Sequence, residues 1–377
     1  MDIAKLKEEL IAFSKSIGID KIGFTTADPF MELKYRLNKQ QELGYQSGFE
    51  EPDIEKRVNP HLLLHEPRSI ISIALAYPAK MKNRVEGKKG GRRGFFARAS
   101  WGLDYHHILR DRLKKLEQFL LEKMPEARLK SMVDTGELAD RAVAERAGIG
   151  WSGKNCAIIT PEFGSYVYLG EMITSIPFEP DTPIEDQCGT CTACLDACPT
   201  GALVQGGQIN AQSCIAYLTQ TKSIIPDEFR DKIGNRIYGC DSCQTACPVN
   251  KGKDFHFHEE MEPDPEIAKP LLKPILKLTN REFKNKFGYV AGSWRGKKPI
   301  QRNAIIALAH FKDATAIPNL IDVLENDPSP ILKGTAAWAL GKIGGETAIT
   351  ALETALDKEP DTEVLSEIKK GLKLCKK

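Results

Sequence analysis

The chain has 377 residues, enough for one large core or two to three domains. Its 41% hydrophobic and 28% charged content is that of an ordinary globular protein. A net charge of +2 excludes a uniformly basic nucleic-acid binder, so any such contact must come from local patches.

The opening MDIAKLKEELIAFSKSIG reads as an amphipathic helix with Ile3, Leu6, Leu10, Phe13 and Ile17 on one face. It lacks the unbroken apolar run of a signal peptide, and no later run is long enough to span a membrane. The expected location is cytoplasmic, where thiols stay reduced and ten cysteines point to metal rather than disulfides. DKIGFTTA and SIISIALAYP then read as strands, the second stopped by its proline. Residues 80–98 form a basic patch, with eight basic side chains against one acidic. YHHILRDRLKKLEQFLLEK has helical spacing through Leu109, Leu113, Leu116 and Leu120. RLKSMVDT is a short strand, and LADRAVAERAGI a helix closed by Gly148 and Gly150. NCAIIT and SYVYLGEMIT read as strands paired with each other. A second basic segment, residues 273–302, carries nine basic side chains against one acidic. It interleaves Phe283, Phe287, Tyr289 and Trp294, which could stack on unpaired bases.

The tail is a repeat. AIIALAHF at 304–311 superposes on AAWALGKI at 336–343 with a shift of 32 residues, and the helix that follows each repeats at the same shift. That is the pattern of stacked HEAT-like helix pairs, in two and a half units. So few units cannot bury a continuous core alone, so they should dock on the preceding domain.

Between these regions lies CGTCTACLDACP, with Cys188, Cys191, Cys194 and Cys198 spaced C-x2-C-x2-C-x3-C-P. In bacterial ferredoxin patterns the fourth cysteine of such a run ligates a different cluster. The partners are present: Cys214 lies downstream, and Cys240, Cys243 and Cys247 make C-x2-C-x3-C-P. The expectation is two crossed [4Fe–4S] clusters. One takes Cys188, Cys191, Cys194 and Cys247; the other takes Cys198, Cys214, Cys240 and Cys243. Zinc also uses thiolate quartets at C-x2-C spacing, but gives no reason for the doubled C-x3-C-P. Cys156 and Cys375 fall outside the pattern and read as small buried hydrophobes. A ferredoxin-like carrier is one reading, yet the α/β region before the clusters is far larger than a carrier needs.

Asp134, in VDTG at a strand end, is the sharpest catalytic candidate, with a turn or helix-cap aspartate as the alternative. Asp104, Tyr105 and His106, in GLDYHH, can move protons or bind a polar substrate, while Asp104 can also cap the helix. GIGWSGKN lacks the spacing of a P-loop or dinucleotide fingerprint. No Asp-x-His-x-x-Gly corrinoid signature occurs.

The order RASWGLDYHH, VDTGELADRAVAERAGIGWSGKN, crossed ferredoxin pair and HEAT-like tail resembles the epoxyqueuosine reductase family over essentially the full chain. The resemblance implies an α+β architecture. Residues 1–177 would be a nitroreductase-like cobalamin-binding catalytic domain, shared with reductive dehalogenases, and 178–256 a ferredoxin-like domain. Residues 257–298 would be a basic tRNA-contact segment, and 299–377 the repeats. It implies cob(II)alamin bound without a histidine ligand, an external low-potential electron donor, a monomer, and tRNA as partner. The implied reaction removes the epoxide oxygen of epoxyqueuosine at the tRNA wobble position, the last step of queuosine synthesis.

By the same resemblance Asp134 is the proton donor, and Asp104, Tyr105, His106 and Arg141 complete the polar group; a carboxyl kept neutral by burial against the corrin ring could donate the proton. Arg57, Ala97, Asp134, Gly153, Ile158, Asp241 and Ser242 would contact the corrinoid; Asn285, Lys286, Arg295, Lys297 and Lys298 would contact tRNA. Glu137 stands where many relatives have proline, which implies a changed turn with intact chemistry. The rival is a corrinoid reductive dehalogenase acting on a small molecule.

Overall fold

The structure, a computed structural model, describes residues 2–83 and 85–376. Arg84 of the first basic patch lies outside the described residues. The chain divides into two compact units that interleave in sequence. The first comprises residues 1–80, 103–214 and 241–262, the second residues 81–102, 215–240 and 263–377.

The first unit is built on a four-stranded antiparallel sheet. In spatial order its strands are Lys21–Thr26, Ser69–Ala76, Val167–Thr174 and Leu129–Met132. Every residue of Ser69–Ala76 is buried, as the apolar run SIISIALA requires of a central strand. The helix Tyr105–Lys123 lays Ile108, Leu109, Leu113, Leu116 and Leu120 against the core. Each such side chain contributes roughly 1.5–3 kcal/mol when fully buried. The helix Asp140–Arg146 ends as expected, with Gly148 in the left-handed region at φ 70°.

One pairing differs from expectation. Ile158–Ile159 pairs with Trp151–Ser152, not with Val167–Thr174. The turn between them has Cys156 at φ 63° and a bond from the Cys156 N–H to the Gly153 carbonyl (2.9 Å). This tight turn folds NCAIIT back on the Gly-Trp-Ser preceding it. Val167–Thr174 instead takes the sheet interior, between Ser69–Ala76 and Leu129–Met132.

The second unit holds the repeat helices Lys297–His310, Ile317–Asn326, Pro330–Ile343, Glu346–Leu356 and Thr362–Cys375. Residues 215–240 group with it by their contacts. Buried polar bonds explain why. Arg302 donates to the carbonyls of Leu218, Thr221 and Ser223, and Asn303 to those of Thr219 and Ile237. Both side chains are buried, and the bonds to Leu218, Thr219 and Ile237 satisfy buried backbone carbonyls. Arg230 of the same segment forms a buried fork with Glu367 of the last repeat helix (2.6 and 2.9 Å). The repeats thus dock on non-repeat chain.

Candidate functional site

The strand Leu129–Met132 runs into the segment carrying Asp134, whose φ is 49°. A non-glycine residue there is strained by roughly 1–2 kcal/mol, and such strain gathers at functional sites. Three groups hold Asp134 in place. Its N–H donates to Asp140 Oδ2 at 2.9 Å, and Tyr105 Oη donates to its Oδ2 at 2.8 Å. His106 Nε2 lies 3.3 Å from the same oxygen, at ion-pair distance but off the angle of a hydrogen bond.

The sequence GLDYHH supplies this cluster because a helix starts there. Asp104 caps Tyr105–Lys123, accepting the His106 N–H at 3.0 Å, and sits 2.7 Å from His106 Nδ1. Its capping and site roles coincide. Tyr105 stacks on Tyr168, with ring centres 4.5 Å apart, which fixes its hydroxyl. Glu137 pairs with Lys130 at 2.8 Å beside the loop.

The contacts around Asp134 favour its ionised form. Burial alone would raise the Asp134 carboxyl, but the His106 and Tyr105 contacts outweigh it and hold the group below its ordinary value. His106 is pushed up from 6.5 to about 9: burial opposes this, and Asp104 and Asp134 overcome it. The proton therefore rests on His106 at neutral pH, next to an ionised Asp134 whose side chain is 57% exposed.

Among the expected corrinoid contacts, Gly153 and Ile158 lie on the Trp151–Ile159 hairpin, and a Cβ at Gly153 would stand 2.5 Å from Ile159 Cδ1. Arg57 lies on the short helix Ile54–Val58, near Asp140, and burial lowers its guanidinium. Asp241 and Ser242 open the helix Ser242–Ala246. Ala97 lies in the other unit, its N–H donating to the Tyr238 carbonyl at 2.8 Å. The donors Trp151 Nε1, Asn155 Nδ2 and Arg141 Nη1 are buried without an acceptor. Unmet donors of this kind suit a ligand rimmed with amide carbonyls, as a corrin is.

Of the cluster cysteines in the first unit, Cys194 is buried and Cys191 exposed. Burial raises the Cys194 thiol, with Cys188 and Cys247 adding to the rise; burial raises Cys247 likewise, with Cys188 and Cys191 adding. These four thiols are electrostatic neighbours, although Cys247 is distant in sequence. The Cys198 thiol is instead held below its ordinary value: burial opposes, but the backbone N–H groups of Thr200, Leu203 and Ala202 and the Thr200 hydroxyl prevail. No three described His, Cys, Asp or Glu side chains converge at single-ion distance. Thiolates around a cubane stand further apart than those around one zinc, because iron and sulfide lie between them. Cys214 and Cys243 also lie in the first unit, whereas Cys240 belongs to the second.

In the second unit Asn285, Lys286 and Lys298 are exposed, with Arg295 and Lys297 half-buried. Arg295 Nε donates to the Gln220 carbonyl (3.1 Å) and Lys297 Nζ to that of Leu278 (2.9 Å). Phe283 and Phe287 are buried in the core, so they cannot stack on bases as expected; Tyr289 and Trp294 are exposed.

Sequence reasoning missed Asp140 and Glu171. Glu171 is fully buried in VYLGEMIT, and an acid inside so apolar a strand was the available signal.

An α/β site with a histidine–aspartate–tyrosine group, joined in one chain to cluster-type cysteines and a helical-repeat tail, defines an iron–sulfur oxidoreductase. Family models match accordingly. The 4Fe-4S double cluster binding domain matches residues 187–250, epoxyqueuosine reductase QueG residues 57–135, and HEAT repeats residues 296–373. An epoxyqueuosine reductase of Bacillus anthracis is 69% identical over 374 residues, covering 99% of this chain and 98% of that protein. A solved epoxyqueuosine reductase bound to an epoxyqueuosine-modified tRNA-Tyr stem loop is 68% identical. It covers 100% of both chains, with a TM-score of 0.98. Another, from Bacillus subtilis, has its Asp134 catalytic loop swung out of the active site; it is 67% identical, covers 99% and 100% of the chains, and has a TM-score of 0.97. This chain belongs to the epoxyqueuosine reductase family.

Proposed function

We propose that this protein reduces epoxyqueuosine in tRNA to queuosine, taking up two electrons and two protons and releasing the epoxide oxygen as water. The observation that carries the reading is the strained Asp134, gripped by Tyr105, His106 and Asp140. It sits in a chain whose relatives bear this activity in their name, one of them holding the modified stem loop.

Two [4Fe–4S] clusters, on the cysteine sets given above, would receive single electrons from an external low-potential donor. Cob(II)alamin would be held by Arg57, Ala97, Gly153, Ile158, Asp241 and Ser242, with Trp151, Asn155 and Arg141 as further hydrogen-bond donors to it. When bound and reduced, the corrinoid supplies a reductant strong enough to open a carbon–oxygen bond. The chain's own residues handle protons. Asp134 faces the epoxide oxygen and passes it a proton drawn from His106, while Asp104 holds the imidazole upright and Tyr105 fixes the carboxylate. General acid catalysis of this kind contributes ~10²–10⁴-fold.

Asn285, Lys286, Arg295, Lys297 and Lys298 would bind tRNA phosphates. The helix Lys297–His310 starts at Gly296 without a side-chain cap, so its first N–H groups can meet a phosphate oxygen. Exposed Trp294 and Tyr289 offer stacking surfaces. The protein would act as a cytoplasmic monomer; among the described residues no helix is long and apolar enough to cross a membrane.

The test is anaerobic incubation of the purified protein with epoxyqueuosine-containing tRNA and a strong chemical reductant. Nucleoside mass spectrometry should show loss of one oxygen. Failure with tRNA, together with turnover of a haloaromatic compound, would favour the dehalogenase reading. A preparation holding iron but no cobalt or corrinoid would favour the carrier.

A further inference from the structure

Glu171 is fully buried near the middle of Val167–Thr174, opposite Ser72 on one neighbouring strand and Met132 on the other. Among the described residues no N–H or O–H group donates to either of its carboxyl oxygens. What it meets is another acid: its carboxyl contacts that of Asp140, the residue that accepts the Asp134 N–H. Two touching carboxylates, one of them fully buried, cannot both stay charged. One must carry a proton, and that proton turns a repulsive contact into a hydrogen bond. Glu171 is fully buried with no described donor to either oxygen, whereas Asp140 is only half-buried and accepts the Asp134 N–H, so Glu171 keeps the proton and Asp140 the charge; burial raises both groups.

We propose that protonated Glu171 is a positioning residue for Asp134: it donates to Asp140, and Asp140, so anchored, holds the Asp134 backbone in its left-handed turn. Asp134 is the acid of the reading above, and the inference rests on that reading only for its effect on turnover. The strain at Asp134 favours a relaxed loop, and the Asp140 carboxylate opposes that relaxation. Arg57 also faces Asp140 and helps keep it charged, while Glu171 approaches as a donor from the sheet side. Without that donor, Asp140 is a half-buried charge lacking one partner, and it gains by turning towards solvent or taking up a proton. Either change loosens its grip on Asp134.

The test compares Glu171→Gln, which keeps shape and an N–H donor, with Glu171→Leu, which keeps volume and loses the donor. In the holoenzyme, backbone amide exchange of residues 134–136 should be ~10-fold faster in Glu171→Leu, the effect of a lost hydrogen bond to a charged group, and near wild type in Glu171→Gln. Single-turnover reduction should fall by a similar factor in Glu171→Leu and be largely rescued in Glu171→Gln, with iron content and tRNA affinity unchanged in both. Equal exchange in all three proteins, or equal loss in both variants, would overturn the proposal. Faster exchange with unchanged turnover would support the positioning role and instead remove Asp134 from the chemistry. Should Glu171→Leu not fold, the infrared difference between wild type and Glu171→Gln at neutral pH still decides. It should show a buried carboxylic-acid band in wild type, and its absence would refute a protonated Glu171.

Discussion

Asp134 joins a strained backbone to a carboxylate that its neighbours keep ionised, while His106 keeps the proton. Asp134→Asn tests this division of labour. Asparagine tolerates the left-handed region and can still accept from Tyr105, so the variant should fold, keep its clusters and bind tRNA. It cannot relay a proton, so single-turnover reduction with a strong chemical reductant should fall at least ~100-fold. Near-normal turnover there would move the acid role to Tyr105 or His106. The same neighbours set a stability profile. His106 is raised from 6.5 to about 9 when folded, so its contribution is complete below about pH 6.5 and is lost as pH rises through about 9. Its full size is on the order of 3 kcal/mol. The thermal midpoint of the wild type should therefore decline between those limits, and that decline should shrink in His106→Gln. An equal decline in both proteins would show that other groups carry it.

Elements were more legible than their connections. The helix Tyr105–Lys123 and the strand Ser69–Ala76 follow directly from leucine spacing and an unbroken apolar run, both local signals. The partner of Ile158–Ile159 was not legible, because strand pairing is decided by turn geometry at Cys156 and by competition for the sheet interior. Nor was the Glu171–Asp140 contact, which joins residues distant in sequence by burial alone. The cysteine runs lie between these cases: their spacing is local, and their grouping is not. Cys198→Ser should alter the cluster assigned to Cys214, Cys240 and Cys243, while Cys194→Ser should alter the one shared with Cys247. Wild type should hold about eight iron atoms per chain. Electron paramagnetic resonance of each variant separates the two signals, and loss of the same signal in both would disprove the crossing.

At the scale of the molecule, a net charge of +2 leaves RNA binding to local surfaces, and the structure narrows which basic residues are available. In the 80–98 patch, Arg93 is committed to a fork with Glu266 at 2.9 Å, and Arg92 lies over Phe311. Lys88 and Lys89 are exposed. In the later segment, Lys298 stands at an uncapped helix start, with Arg295 and Lys297 alongside. Arg295 Nε and Lys297 Nζ each donate to a backbone carbonyl, that of Gln220 and that of Leu278. Each phosphate contact contributes about 0.7–0.9 to the slope of log affinity against log salt. Replacing Arg295, Lys297 and Lys298 by glutamine keeps a donor for the carbonyl bonds while removing three charges. Affinity for the anticodon stem loop should fall at low salt, and the slope should flatten by about two to three units. Cluster and corrinoid content should not change. The matched variant Lys88→Gln with Lys89→Gln should leave the slope near wild type. The reverse pattern, with the slope moved only by Lys88 and Lys89, would transfer the RNA surface to the first basic patch.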